Sequence, residues 1–227
     1  MNLLLLHGFA SHPLLTLGPL PGVLREAGFA VSQPALPGHG TRPEDLLGVR
    51  WQDWLSAARE AYAALPEPQG VVGLSMGALL AAYLAAEMPT QALVALAPAL
   101  ALRSPLAPLL AWLIPRFPGP DSIRDPELKK QNPNNPYFPT RAVLELLALM
   151  RKTPEVLPRV RAPALVVEAG RDQVVKGVRR YYELLGSAKK DYLVFPESGH
   201  DLLLDRDRER MAQAVQDWLI ANSNHLR

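Results

Sequence analysis

The stretch Gly70-Val71-Val72-Gly73-Leu74-Ser75-Met76-Gly77-Ala78-Leu79-Leu80 decides the fold. Gly70–Leu74 is a short apolar run suited to a strand covered on both faces. Met76–Glu87 has helical composition and stops before Pro89. Between them stands a serine with glycine two residues away on either side. Such a strand–serine–helix turn is sharp. Glycine at both flanks removes Cβ atoms that would clash, and the hydroxyl is lifted above the end of the sheet. The free N–H groups of the helix's first turn face the same space.

Working outward, the same alternation continues. Strands are predicted at Asn2–Leu6, Phe29–Gln33, Ala92–Leu96, Ala164–Ala169 and Asp191–Phe195, besides Gly70–Leu74. Helical spacing appears at Leu17–Ala27, Asp53–Leu65, Met76–Glu87, Lys176–Leu185 and Arg206–Ile220. In the last of these, Met211, Ala214, Val215, Trp218 and Leu219 form a stripe that reads as core. Apolar strands separated by helices require a sheet covered on both sides, joined by right-handed crossovers. The expected fold is α/β: a doubly wound, mostly parallel sheet of about six strands with helices on both faces.

One region breaks the pattern. Ten prolines fall between residues 98 and 139, and proline removes the donors a sheet interior needs. Two helical pieces are predicted there, Pro105–Ile114 and Thr140–Lys152, the second with Thr140 as its N-cap. Leu106, Leu109, Leu110, Leu113 and Ile114 share one helix face, but Ala107, Ala111 and Trp112 make the other side apolar too. That helix has three readings: packed on the core, lining an acyl pocket, or a patch for a second copy or lipid. A long insertion in a compact domain is usually functional, often a lid.

The chain has 227 residues, 48% hydrophobic and 20% charged, with no cysteine and a net charge of +2. That size and composition bury a sizeable core. Zero cysteine excludes a disulfide framework, an iron–sulfur cluster and a cysteine nucleophile. The slight, scattered positive charge argues against a nucleic-acid partner. Leu3–Leu6 is too short for a secretory signal, and no run approaches the roughly 18 apolar residues of a membrane span. A cytoplasmic protein, monomer or homodimer, is the default expectation.

A serine at its free pKa is a poor nucleophile and needs a base, and the base needs an orienting acid. Of five histidines, His200 stands in Ser198-Gly199-His200, just after the predicted strand Asp191–Phe195. Asp172 stands in Gly170-Arg171-Asp172, just after Ala164–Ala169. Open α/β sheets place their sites in such loops at the carboxyl ends of strands. The rival acids are Glu168, within its strand, Asp201, too close to His200 in sequence, and Asp205. The alternative reading of Asp172, less favoured, is a helix N-cap. An oxyanion hole also needs preorganised N–H donors. Met76, directly after the serine, supplies one, and Phe9 in His7-Gly8-Phe9 is the choice for the other. His7 and His39 lie beside glycines in tight loops and are expected to bond the backbone, while His12 and His225 are expected to be solvated.

With these residues in view, the chain resembles the α/β-hydrolase superfamily, and within it the small microbial carboxylesterases and monoacylglycerol lipases. The resemblance is carried by His7-Gly8-Phe9, Pro37-Gly38-His39-Gly40, the Trp51-Gln52-Asp53-Trp54 stretch, Gly73-Leu74-Ser75-Met76-Gly77, Gly170-Arg171-Asp172 and Ser198-Gly199-His200. The family's two leading antiparallel strands have no counterpart before His7, as in the compact carboxylesterases. The resemblance implies a triad of Ser75, Asp172 and His200 with the Phe9 and Met76 amides as oxyanion donors, and no cofactor or metal. It implies a core at residues 1–99 and 161–227 and a helical cap at 100–160; on the pocket reading of the first cap helix, its face of Leu106, Leu109, Leu110 and Leu113 lines the acyl pocket. The expected substrate is an uncharged ester, a simple acyl ester or a monoacylglycerol. A thioesterase, a C–C bond hydrolase or a peptidase would share the constellation, whereas a non-catalytic binding protein on the same scaffold usually lacks one triad member.

Overall fold

The computed structural model describes residues 1–120 and 122–222, apart from the side chains of Pro108 and Leu110. The chain begins β1 (Asn2–Leu6), α1 (Leu20–Glu26), β2 (Ala30–Ser32), α2 (Trp51–Ala63), β3 (Gln69–Leu74), α3 (Met76–Glu87) and β4 (Leu93–Leu96). It continues through β5 (Ala101–Leu102), α4 (Ala107–Leu113), β6 (Arg116–Pro118), α5 (Pro126–Lys129), β7 (Tyr137–Pro139) and α6 (Ala142–Lys152). It closes with β8 (Ala164–Ala169), β9 (Val175–Lys176), α7 (Val178–Leu184), β10 (Lys190–Phe195) and α8 (Arg208–Asn222).

Among the described residues, six strands form one parallel sheet in the order β2-β1-β3-β4-β8-β10. Successive side chains of a strand point to opposite faces, and both faces here are apolar. Leu4, Leu6, Val71 and Val166 join one core with α2, α3, α6 and α7. Leu3, Leu5, Val72, Leu74, Leu165 and Val167 join the other with α1 and α8. The stripe expected on the last helix is core: Met211, Val215 and Leu219 are fully buried, with Ala214 and Trp218 packed against them. The chain leaves β1 for β2 on one side and returns to β3 on the other. The crevice at the carboxyl ends of β1 and β3 is therefore the switch point, where open α/β sheets hold their ligands.

Helix α3 is buried from Met76 to Ala85 and apolar all round, because the sheet, α2 and α6 cover it from several directions. Its entry is the tightest place in the fold. A Cβ on Gly73 would lie 2.2 Å from the Gly77 carbonyl oxygen, and one on Gly77 would lie 2.3 Å from the Leu6 carbonyl oxygen. The two glycines let strand, helix and β1 approach to backbone contact, and Ser75 between them adopts φ 56° and ψ −112°. That is a strained conformation for a residue bearing a Cβ.

Several boundaries differ from the sequence reading. Helix α2 starts at Trp51, because the Asp53 carboxylate accepts the Arg50 N–H at 2.8 Å and closes the first turn. Gly18 and Pro19 separate α1 from a short 3₁₀ turn at Leu15–Leu17. Thr140 does not cap α6: the helix begins at Ala142, and the buried Thr140 hydroxyl has no hydrogen-bond partner among the described residues. Helix α7 follows Gly177, whose φ of 88° favours glycine. The proline-rich stretch carries strands after all. β6 and β7 pair antiparallel, with Arg116 opposite Pro139 and Pro118 opposite Tyr137. In a two-stranded ribbon each strand keeps a free edge, where a missing N–H costs nothing. A second ribbon pairs β5 with β9 and ties the start of this stretch to the loop after β8.

The close approach predicts opposite effects for two glycines. Gly77→Ala should destabilise the protein by about 3 kcal/mol or more, since only backbone can yield. Gly22→Ala, in α1 with nothing within 4 Å of its Cβ, should stabilise it by up to about 1 kcal/mol and raise the melting temperature by about 2–4 °C. Calorimetry on both variants checks the pair.

Candidate active site

The structure brings Ser75, His200 and Asp172 together. Each stands just past the carboxyl end of its own strand, at β3, β10 and β8 respectively. His200 Nε2 lies 2.8 Å from Ser75 Oγ, and His200 Nδ1 lies 2.7 Å from Asp172 Oδ2. An ionised carboxylate only accepts, so Nδ1 carries the proton and Nε2 presents its lone pair to the serine hydroxyl. The other Asp172 oxygen accepts the Val174 and Val175 amides at 2.7 and 2.9 Å. Asp172 therefore orients the ring and shapes its own loop, and the cap of the following helix is Gly177 instead.

Burial alone would disfavour both charged forms. Against it, the His200 ring and the Val174 and Val175 amides hold Asp172 below the ordinary carboxylate range. For His200 the burial penalty is outweighed by the charge and hydrogen bond of Asp172 and the charge of Asp201, so its pKa is raised. The pair favours a histidine that accepts a proton readily, as a general base beside a hydroxyl requires.

The amides of Phe9 and Met76 find no acceptor among the described residues. Gly8 packs against the serine, where a Cβ would meet Ser75 Cβ at 3.4 Å, so the β1 loop lies directly beside the hydroxyl. Phe9, Ser75 and His200 line one cavity of about 550 Å³. Phe9, Phe138 and Phe117 give it an aromatic wall, with the Phe138 ring centroid 5.5 Å from that of Phe9 and 6.1 Å from that of Phe117.

His7 and His39 bond the backbone. His7 Nε2 accepts the Leu36 amide at 3.1 Å and Nδ1 lies 2.9 Å from the Gly8 carbonyl. His39 Nε2 accepts the Ala10 amide at 3.1 Å and Nδ1 lies 3.1 Å from the Pro37 carbonyl. Both rings stay neutral, with burial pushing His7 down to about 3 and His39 down to about 4. They fix the loop bearing Phe9. His12 is only half-buried, and its ring accepts the Leu14 and Leu15 amides. His225 lies outside the described residues.

The cap leucines are placed differently from the expectation. Leu106, Leu109 and Leu113 are 55%, 54% and 66% exposed and do not line the cavity. Helix α4 turns its small residues inward instead: Ala107 lines the cavity and Ala111 is buried. The pattern was apolar on all sides, so spacing alone did not say which face packs. The Leu110 side chain lies outside the described residues. Phe117, Phe138, Val143, Leu146 and Val175 give the cavity apolar lining instead.

The rival acids have other partners. Glu168 meets the Tyr192 hydroxyl. Asp205 is fully buried and accepts the Gly199, Arg124, Asp125 and Arg206 amides at 2.7–2.9 Å. Asp201 accepts from Ser122 Oγ and from Asn134 Nδ2. Sequence reasoning missed Ser122 and Asn134 altogether. The available signal was two acids bracketing the apolar run Leu202–Leu204, which forces them inward toward distant donors.

Two pH effects follow. His200 must be neutral to take a proton, so kcat/KM should fall as pH drops through its raised pKa, above the ordinary 6.5. Asp172→Asn should cut kcat on the order of 10⁴-fold and move that acid limb to lower pH, read from a pH–rate profile. His39 is depressed in the fold, so unfolding takes up a proton, and its share of stability is lost as pH falls from about 6.5 to about 4. His39→Gln keeps a donor and an acceptor without a charge. It should flatten the denaturation midpoint across that window.

The similarities to known proteins agree with this geometry. A family model described as serine aminopeptidase, S33, matches residues 1–207. A thermostable monoacylglycerol lipase of Bacillus sp. (strain H-257) is 31% identical over 219 residues, covering 92% of this chain and 86% of that protein. A carboxylesterase of Bacillus subtilis (strain 168) is 25% identical over 227 residues, covering 95% and 91%. A solved structure from work on LipS and LipT, two metagenome-derived lipolytic enzymes, superposes with a TM-score of 0.88 at 27% identity, covering 97% of this chain and 93% of that one. The resemblance read from the motifs thus holds along nearly the whole chain, and the protein belongs to the α/β-hydrolase family described as serine aminopeptidase, S33, an enzyme family of serine hydrolases.

Proposed function

We propose that the enzyme hydrolyses carboxylic esters of an uncharged acyl chain, with monoacylglycerols as the class its cavity fits best. The observation that carries this reading is the lining of the cavity around Ser75 and His200. Phe9, Phe117, Phe138, Val143 and Leu146 offer an apolar surface for an acyl chain. Ser11, Asn132 and Asn135 offer hydroxyl and amide groups for a polyol. An amphiphile with one chain and a small polar alcohol matches both. The names of the two Bacillus relatives support the same class.

In this mechanism Ser75 Oγ attacks the ester carbonyl while His200 Nε2 takes its proton. Asp172 stabilises the imidazolium, and the Phe9 and Met76 amides receive the oxyanion. His200 then protonates the departing alcohol and leaves an acyl-serine. Water, deprotonated by His200, releases the acid and restores the hydroxyl. Residues 100–160 act as a cap, supplying most of the cavity's far wall from β6, β7 and α6.

The family model's description favours one second reading, aminopeptidase action. A substrate ammonium then needs an acceptor in the cavity. Among the described lining residues Asp201 is the one acid, and Ser122 and Asn134 already bond its Oδ2. This weighs toward esters.

Rates on p-nitrophenyl esters from acetate to palmitate, on monoacylglycerols and triacylglycerols, and on aminoacyl p-nitroanilides test the choice. The expected result is ester turnover, monoacyl over triacyl preference, and a loss on the order of 10⁴-fold or more in Ser75→Ala. Anilide turnover without ester turnover would transfer the site to peptides.

A further inference from the structure

The two sides of the catalytic centre are carried by different loops. Phe9 sits in the loop after β1, and His200 in the loop after β10. One side chain of the intervening stretch bonds to both. Asn134 Oδ1 accepts the His12 amide at 2.9 Å, three residues beyond Phe9. Asn134 Nδ2 donates to Asp201 Oδ2 at 2.9 Å, one residue beyond His200. Asn134 is itself fixed, since its own N–H donates to Asn132 Oδ1 at 3.0 Å. The carboxamide offers an acceptor and a donor on one planar group, and a flipped amide would set NH₂ against N–H.

The Asp201 end is firmly built. Its carboxylate is buried and also takes the Ser122 hydroxyl, while its N–H donates to the Ser122 carbonyl at 3.1 Å. A Cβ on Gly199 would lie 2.3 Å from that same carbonyl, so residues 122–134 rest directly on the histidine loop.

We propose that Asn134 is a positioning residue that sets the spacing between the oxyanion-side loop and the histidine loop by joining the His12 amide to the Asp201 carboxylate. Resting on the reading of Ser75 and His200 as the working pair, this gives the cap a part in catalysis besides enclosing substrate. A displacement of about 1 Å in such a centre costs up to about 100-fold in rate. Asn134 touches no reacting atom in this scheme.

The test is a polarity swap. Asn134→Asp sets two carboxylates against each other, whereas Asp201→Asn keeps an oxygen where both the Asn134 amide and the Ser122 hydroxyl bond, and so controls for the lost charge. In the double variant the carboxylate at 134 accepts from His12 N–H and from the amide at 201, whose NH₂ takes the shared position and donates to the Ser122 oxygen as well. The readouts are kcat and KM on p-nitrophenyl butyrate, the rate at which a fluorophosphonate labels the protein, and the melting temperature. Asn134→Asp should lose roughly tenfold to a hundredfold in kcat and labelling rate with KM within about twofold, and Asp201→Asn, which keeps the bridge, should lose less than Asn134→Asp. The double variant should recover to within about threefold of wild type. Asn134→Ala, which buries no new charge, should lose about tenfold and decides the matter if the swap does not fold.

The proposal is overturned if folded Asn134→Asp keeps wild-type kcat and labelling, or if the double variant melts normally yet is no faster than Asn134→Asp. Wild type that labels but hydrolyses no ester would remove the ester reading and leave the labelling rates to decide this one. Wild type that does not label would overturn both.

Discussion

Everything at the site depends on a backbone contact that permits no side chain. Gly73, Ser75 and Gly77 bring the end of β3, the start of α3 and the end of β1 to van der Waals distance. Because β1 and β3 are neighbours, their two following loops are neighbours as well. That adjacency brings the loop bearing Gly8 and Phe9 beside the Ser75 turn. The strained φ of Ser75 is maintained because the sheet on one side and the apolar helix α3 on the other both resist its relaxation.

Around this fixed point the sheet supplies the remaining groups by topology. β4 separates β3 from β8, and β10 lies beyond β8. Asp172 and His200 thus reach inward from strands successively further out, and the Asp172–His200–Ser75 bonds span the sheet's carboxyl edge. Two pairs of ionisable groups are held in opposite states by their surroundings. Asp172 and His200 stabilise each other's charge, whereas His7 and His39 are kept neutral by burial and spend both nitrogens on backbone groups. In the proposed mechanism the first pair serves chemistry. The second keeps the oxyanion loop rigid at no cost in buried charge.

The core of this account was legible in the sequence for a physical reason. A strand buried on both faces must be an apolar run, so Asn2–Leu6, Gly70–Leu74 and Ala164–Ala169 announced themselves, and short loops at their ends narrowed the search for chemistry to a few positions. What was not legible depended on partners distant in the chain. The ribbons β5–β9 and β6–β7 form because residues far apart in sequence meet, and the proline content of the second concealed its strands. The face of α4 that turns inward was decided by the size of Ala107 and Ala111, not by hydrophobicity. The Asn134–Asp201 contact spans 67 residues, and no local pattern encodes it.

The most direct test of the central claim is the location of a covalent adduct. Wild-type protein treated with a fluorophosphonate, digested and sequenced by mass spectrometry should carry one adduct per chain, on the peptide containing Ser75, with ester hydrolysis lost in proportion. An adduct on any other residue, or full modification of Ser75 with hydrolysis intact, would contradict the account.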